Sequence, residues 1–233
     1  MQITTIRRLT GAAGLAAALL HFVELALFFS HAGPPPDSTV FATTLVAITG
    51  GTLLVVFMTG LRHLVKAADP TYEFVGTLGS IAGLMWVLLA SYVFLALGAG
   101  EAIASPEPID QTVDVPGTYL LGGSIGRIIE ALWMGAFGYA IVRTQVLPRW
   151  IGWCSCVMVP INLAFVPSIY FGNDPAFFYA ANGWGTAALM GFLTIVWILI
   201  ASIAMLATRT HTVSLGSRSA APSTPSPAAS VSA

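Results

Sequence analysis

Apolar residues fall into six long stretches: roughly Leu9 to Ser30, Val40 to Leu61, Phe74 to Gly98, Thr118 to Val142, Ile151 to Tyr170 and Trp184 to Ala207. A helix rises about 1.5 Å per residue, so about 20 apolar residues cross a bilayer core about 30 Å thick. Each stretch meets that length, and backbone groups in hydrocarbon are satisfied only within helices or closed barrels. The pattern predicts an all-α fold, a polytopic transmembrane bundle of six helices filling residues 1–208. Arg7 and Arg8 precede the first stretch as they would in a signal peptide. That stretch exceeds the roughly 7 to 15 residues of an h-region and contains Glu24, so it is read as a span.

The intervening segments punctuate the pattern. Pro34, Pro35 and Pro36 exclude helix and make the 31–39 connection short and stiff. Residues 101–117 form the longest connection, with four carboxylates and three prolines, and are expected to be a solvated loop. In the 172–185 segment, Asn173 or Asp174 is expected to cap a short helix with Pro175 in its first turn, placing Phe177, Phe178 and Tyr179 at the interface. Residues 209–233 are rich in Ser, Ala and Pro without aromatics and are expected to be a disordered tail.

Composition narrows the class further. Of 233 residues, 56% are hydrophobic and only 8% charged, too few to cover a water-facing surface. A net charge of −1 supplies no basic stripe, so nucleic acid is excluded as a partner, and the lipid bilayer is the expected one. Two cysteines, Cys154 and Cys156, point to different sides of one helix and cannot bridge. Eight of the nine Lys and Arg residues flank the spans on one side, as Arg7, Arg8, Arg62, Lys66, Arg143, Arg149, Arg209 and Arg218. The opposite connections hold Asp37, Glu101, Glu107, Asp110, Asp114 and Asp174 with no Lys or Arg. Positive charge is retained in the cytoplasm, so both termini are expected there.

Four ionisable residues interrupt the spans. His21 and Glu24 in the first, and Arg127 and Glu130 in the fourth, are each spaced i,i+3 and share a helix face. Charged groups in hydrocarbon cost roughly 2.5 to 3.5 kcal/mol on insertion scales, so both faces must point into the bundle. Counting about 1.5 Å per residue from the end opposite the termini puts His21 and Arg127 about 13 to 14 Å deep, with Glu24, Glu130, Tyr92 and Asn162 within a few ångströms of that layer. An unpaired buried Arg127 is untenable. Glu130 on its own helix and Glu24 across the bundle are the candidate partners, and the shared depth favours Glu24.

Small residues suggest close helix contacts at Gly79 and Gly83 and at Gly122 and Gly126, both Gly-x-x-x-Gly spacings. On that basis Gly126→Leu is expected to disturb packing more than Gly98→Leu. Pro160 and Pro167 are expected to kink the fifth span.

The segment Gly126-Arg127-Ile128-Ile129-Glu130, followed by Leu147-Pro148-Arg149-Trp150-Ile151-Gly152, resembles a family of uncharacterised bacterial six-helix multi-pass membrane proteins, a domain of unknown function. The resemblance covers all six spans and implies an integral protein of the bacterial cytoplasmic membrane, without naming an activity. No internal repeat supports an inverted-repeat transporter. No nucleophile elbow, Walker loop or dinucleotide fingerprint is present, and no cofactor or metal is expected. Three function classes remain. The leading one is binding or transport of a small apolar or weakly polar molecule, with His21, Glu24, Arg127 and Glu130 as ligand or proton site and Tyr92 and Asn162 in support. The others are an intramembrane enzyme on a lipid-soluble substrate such as an isoprenoid, and a non-catalytic subunit or sensor.

Overall fold

The structure, a computed structural model, describes residues 2–31, 33–115 and 117–207; the expected tail over 209–233 lies outside the described residues. Among the described residues six helices are long and apolar enough to cross a membrane, which makes the chain a multi-pass membrane protein: α1 Ile3–Phe28, α2 Asp37–Ala68, α3 Pro70–Ala104, α4 Thr118–Thr144, α5 Arg149–Phe171 and α6 Gly185–Ala207. Several run past the apolar stretches that announce them, because helical hydrogen bonding continues through polar residues outside hydrocarbon. Thus α2 continues past Leu61 through Arg62, His63 and Lys66.

Prolines and charges set the helix ends. Asp37, in the first turn of α2 after Pro36, complements the positive helix terminus. Asp69 precedes Pro70, a position that disfavours helix, and adopts an extended conformation with φ −154°. Its Oδ1 accepts from the Thr71 amide at 2.9 Å, so α3 restarts after a single residue. Near this corner Lys66 donates to Glu73 at 2.6 Å, and Arg143 of α4 donates to the Tyr72 hydroxyl at 2.9 Å.

Three helices are irregular where they approach one region. In α3, Leu88–Val93 is a π-helical turn, and α6 opens with another at Gly185–Leu189. In α4, Gly123 separates a short turn, Thr118–Gly122, from the main helix, Ser124–Thr144. A side chain at Gly123 would collide with the carbonyl oxygens of Tyr119 and Ala181, so only glycine lets the 172–184 connection press against the break. Pro160 lies within the regular part of α5, and at Pro167 the helix tightens into the 3-10 turn Val166–Phe171.

Packing follows chain order as a ring, with α1 against α2 and α6, α2 against α3, α3 against α4 and α4 against α5; α5 and α6 touch more thinly. Its centre is aromatic. The fully buried Trp133 of α4 lies 6.0 Å from Trp86 of α3 and 5.5 Å from Trp197 of α6, ring centre to ring centre. Large apolar side chains such as Leu45, Phe74 and Ile81 face outward, as a lipid-facing surface requires.

Several local expectations are corrected. The 172–185 segment is a series of turns without a helix: Asp174 caps only the Ala176 amide, at 2.9 Å, and Trp184 donates back to the Pro175 carbonyl at 3.2 Å. Phe178 and Tyr179 pack on Phe165 of α5, at 5.7 and 5.4 Å, while Phe177 and Phe178 stay exposed. The long connection is shortened by α3 running to Ala104, and it is more than a solvated loop, since Ile109 and Val115 are buried against Val40 and Ala102. Gly79 and Gly83 do seat Phe137 and Met58 of neighbouring helices, but Gly122 faces open space. Gly126 is crowded by the Leu121 carbonyl of its own chain, and Gly98 is crowded too, by Gln111.

Candidate functional site

The break at Gly123 starts the main helix of α4 so that the Arg127 amide bonds the Gly123 carbonyl at 2.8 Å and the Arg127 side chain enters the bundle one turn later. Arg127 Nη1 lies 2.8 Å from Glu130 Oε2, and both side chains are buried. The expected cross-helix pair of Arg127 with Glu24 is therefore corrected: the i,i+3 neighbour supplies the counter-charge.

Two further helices close on this pair. Asn162 of α5 accepts from Arg127 Nη1 at 3.4 Å and donates to Glu130 Oε1 at 3.4 Å and to the Met158 carbonyl at 3.0 Å. The Thr194 hydroxyl of α6, also near the Met190 carbonyl, donates to Glu130 Oε1. A carboxylate is the stronger acceptor of the two. Glu130 is thus the joint of α4, α5 and α6, sealed from water.

Glu24 is engaged on its own helix, where its Oε2 lies 2.5 Å from His21 Nδ1. His21 is buried, and its ring reaches α2 at Gly50, where a Cβ would stand 3.0 Å from Nε2. The Glu24 side chain keeps 24% exposure. Tyr92, expected in the same layer, does not join: its hydroxyl bonds Thr52 of α2 at 2.7 Å on the outer side of the bundle. Depth alone does not fix the direction of a side chain around the helix axis.

A cavity of about 230 Å³ brings His21, Glu24 and Arg127 to a common space, with Glu130 and Asn162 behind Arg127 and outside the lining. One end reaches half-exposed residues at the loop end, Phe29 and Trp184, and the other reaches the fully buried Ile198 and the tryptophan core at Trp86. Both π turns contribute walls, through Ala90 and Ser91 of α3 and through Ala187 and Ala188 of α6. A π turn is wider than an α turn and recurs at functional sites. Nothing in the spacing of apolar residues marks these turns, nor does it distinguish Thr194 from other threonines in apolar helices. Asn182 carries no such signal either; it donates to the Thr112 carbonyl at 3.1 Å while its Oδ1 is buried without a partner beside the cavity.

A second cavity of about 180 Å³ lies toward the loops, lined by His31 and Asp110 and sharing Phe28, Phe29, Thr112 and Pro175 with the first. Among the described residues no three His, Cys, Asp or Glu side chains gather as a metal site would require.

The chain matches no family model, no curated protein and no solved structure.

Proposed function

We propose that this is a bacterial cytoplasmic-membrane protein, with both termini in the cytoplasm, that binds a small and largely apolar molecule within its helix bundle, for transport or presentation across the membrane. The observation that carries this reading is the main cavity, about 230 Å³ of space walled mostly by apolar side chains and fringed by His21, Glu24 and Arg127. An apolar void of about 150 Å³ already admits benzene, and ligand sites combine apolar walls with a few convergent polar groups. Burial of four ionisable residues adds support, since charges inside a membrane are costly and mark ligand or ion paths. The resemblance carried by residues 126–130 and 147–152 supports the bacterial setting.

Gly191 offers a direct test. It lines the cavity on α6, and a Cβ there would meet no atom within 4 Å, so the side chain of Gly191→Leu starts into open space. Native mass spectrometry of the purified protein is expected to detect a retained small molecule that is absent from Gly191→Leu. A polar layer serving assembly alone predicts no retained molecule in either protein, and that result, with no binding of added aromatic probes, overturns the reading.

A further inference from the structure

The charges around the main cavity do not cancel. Arg127 is matched by Glu130 at 2.8 Å, which leaves Glu24 and His21. With His21 neutral, the four side chains carry one net negative charge. No other Asp, Glu, Lys, Arg or His lines the cavity: α3 supplies Ser91, α6 only apolar groups, the loops Thr112 and Asn182, and α4 adds Tyr119. On the far side of His21, α2 presents Gly50. The Glu24 carboxylate is only partly exposed and faces mostly apolar walls, and no cationic side chain is left to match it, so the unmatched negative charge favours a ligand of positive charge.

Two independent features point to an organic cation. Six aromatic side chains, Phe28, Phe29, Trp86, Phe94, Tyr119 and Trp184, line the cavity, and ring faces attract desolvated cations. Trp184 is held edge to face against Phe178 at 4.5 Å. The approach is also acidic. Asp37, Glu101, Glu107, Asp110, Asp114 and Asp174 lie at the loop end of the bundle, where the connections contain no Lys or Arg. Asp110 lines the second cavity, which shares four residues with the first. Like-signed charge along an entrance raises the local concentration of the opposite ion.

We propose that the cavity selects a small lipophilic organic monocation, such as a protonated or quaternary amine bearing an aromatic or alkyl group, over neutral and anionic molecules of the same shape. The inference rests on the cavity being a ligand site and names the class of ligand. The Glu24 carboxylate is the counter-ion and the aromatic side chains solvate the cation.

The test uses the full chain in lipid nanodiscs and three probes of similar shape: benzyltrimethylammonium, its neutral isostere neopentylbenzene, and phenylmethanesulfonate, each corrected for partition into empty nanodiscs. Benzyltrimethylammonium is expected to bind at least about tenfold more tightly than the other two. Glu24→Gln should erase that preference. Equal binding of the cation and its neutral isostere, or preference for the sulfonate, overturns the cation class while leaving a small apolar ligand in place. Because the comparison of probes is made on the unmodified protein, it decides the matter even if Glu24→Gln does not fold. Absence of binding by all three, when native mass spectrometry still finds a retained molecule, likewise overturns the cation class. Absence of binding together with absence of any retained molecule overturns the ligand site itself.

Discussion

Arg127 and Glu130 form a buried ion pair within a single helix, Nη1 to Oε2 at 2.8 Å, while the other carboxylate in the region, Glu24, is bonded to His21. Removing one member of a buried pair costs about 3 to 5 kcal/mol, because the other is left uncompensated, whereas removing both is much milder. Glu130→Gln should therefore destabilise strongly, and Arg127→Gln in the same chain should recover most of the loss. Glu24→Gln combined with Arg127→Gln should be additive. Unfolding in detergent, measured as a double-mutant cycle, checks this; strong coupling of Arg127 to Glu24 and none to Glu130 would contradict the observed pairing.

Thr194 carries the α6 end of the same joint. Its hydroxyl donates to Glu130 Oε1 in a fully buried setting. Thr194→Val keeps the shape and deletes the donor, with an expected cost of about 1.5 to 3 kcal/mol for a bond to a charged group. Thr194→Ser should lose far less. Thermal midpoints of the two variants, compared in one detergent, distinguish hydrogen bonding from packing.

Glycine substitutions should sort by what surrounds each position. Gly123→Ala meets two backbone carbonyls that cannot move aside, and Gly126→Leu meets the carbonyl of Leu121. Both should lower stability by at least about 1 to 3 kcal/mol, as overpacking does. Gly98→Leu should also be costly, because a Cβ there would lie 2.8 Å from Gln111 Cγ, so the expected contrast with Gly126→Leu is reduced. Gly191→Leu should be neutral or stabilising, by up to about 1 kcal/mol, since a helix interior gains from losing glycine. Equal midpoints for Gly123→Ala and Gly191→Leu would argue against the close approach of Ala181 to α4.

Orientation is open to a reporter experiment. Alkaline phosphatase fused at Asp110 should be active and fused at Ser217 inactive, given the eight-to-none division of Lys and Arg between the two ends. The reverse pattern would place the acidic connections in the cytoplasm.

The spans were legible because hydrocarbon tolerates so few alternatives: a run such as Met190–Ala207 has nowhere else to go. That Arg127, Glu130 and Asn162 would share a layer was also legible, from depth alone. Which carboxylate pairs with Arg127 was not, because that depends on how each helix is turned about its axis. The turning is set by the break at Gly123 and by the π turns, and neither leaves a periodic signature. Tyr92 shows the same limit, being at the right depth but directed at Thr52. In the 172–184 connection the capping signal at Asp174 is real, yet the contacts of Phe178 and Tyr179 with Phe165 hold the chain in turns and no helix propagates.

The π turn at Leu88–Val93 also fixes how α3 answers to changes in its length. A π turn holds one residue more than an α turn, and each residue advances an α-helix by about 100°. Deleting one residue between Leu88 and Val93 would let the wide turn close into regular helix, leaving the Gly79–Phe137 and Gly98–Gln111 contacts on either side in phase with their neighbours. The same deletion elsewhere in α3 would rotate everything beyond it off its partners. This turn is therefore the one place where α3 can be shortened without rotating half the helix, and the loss would fall on the cavity wall formed by Ala90 and Ser91.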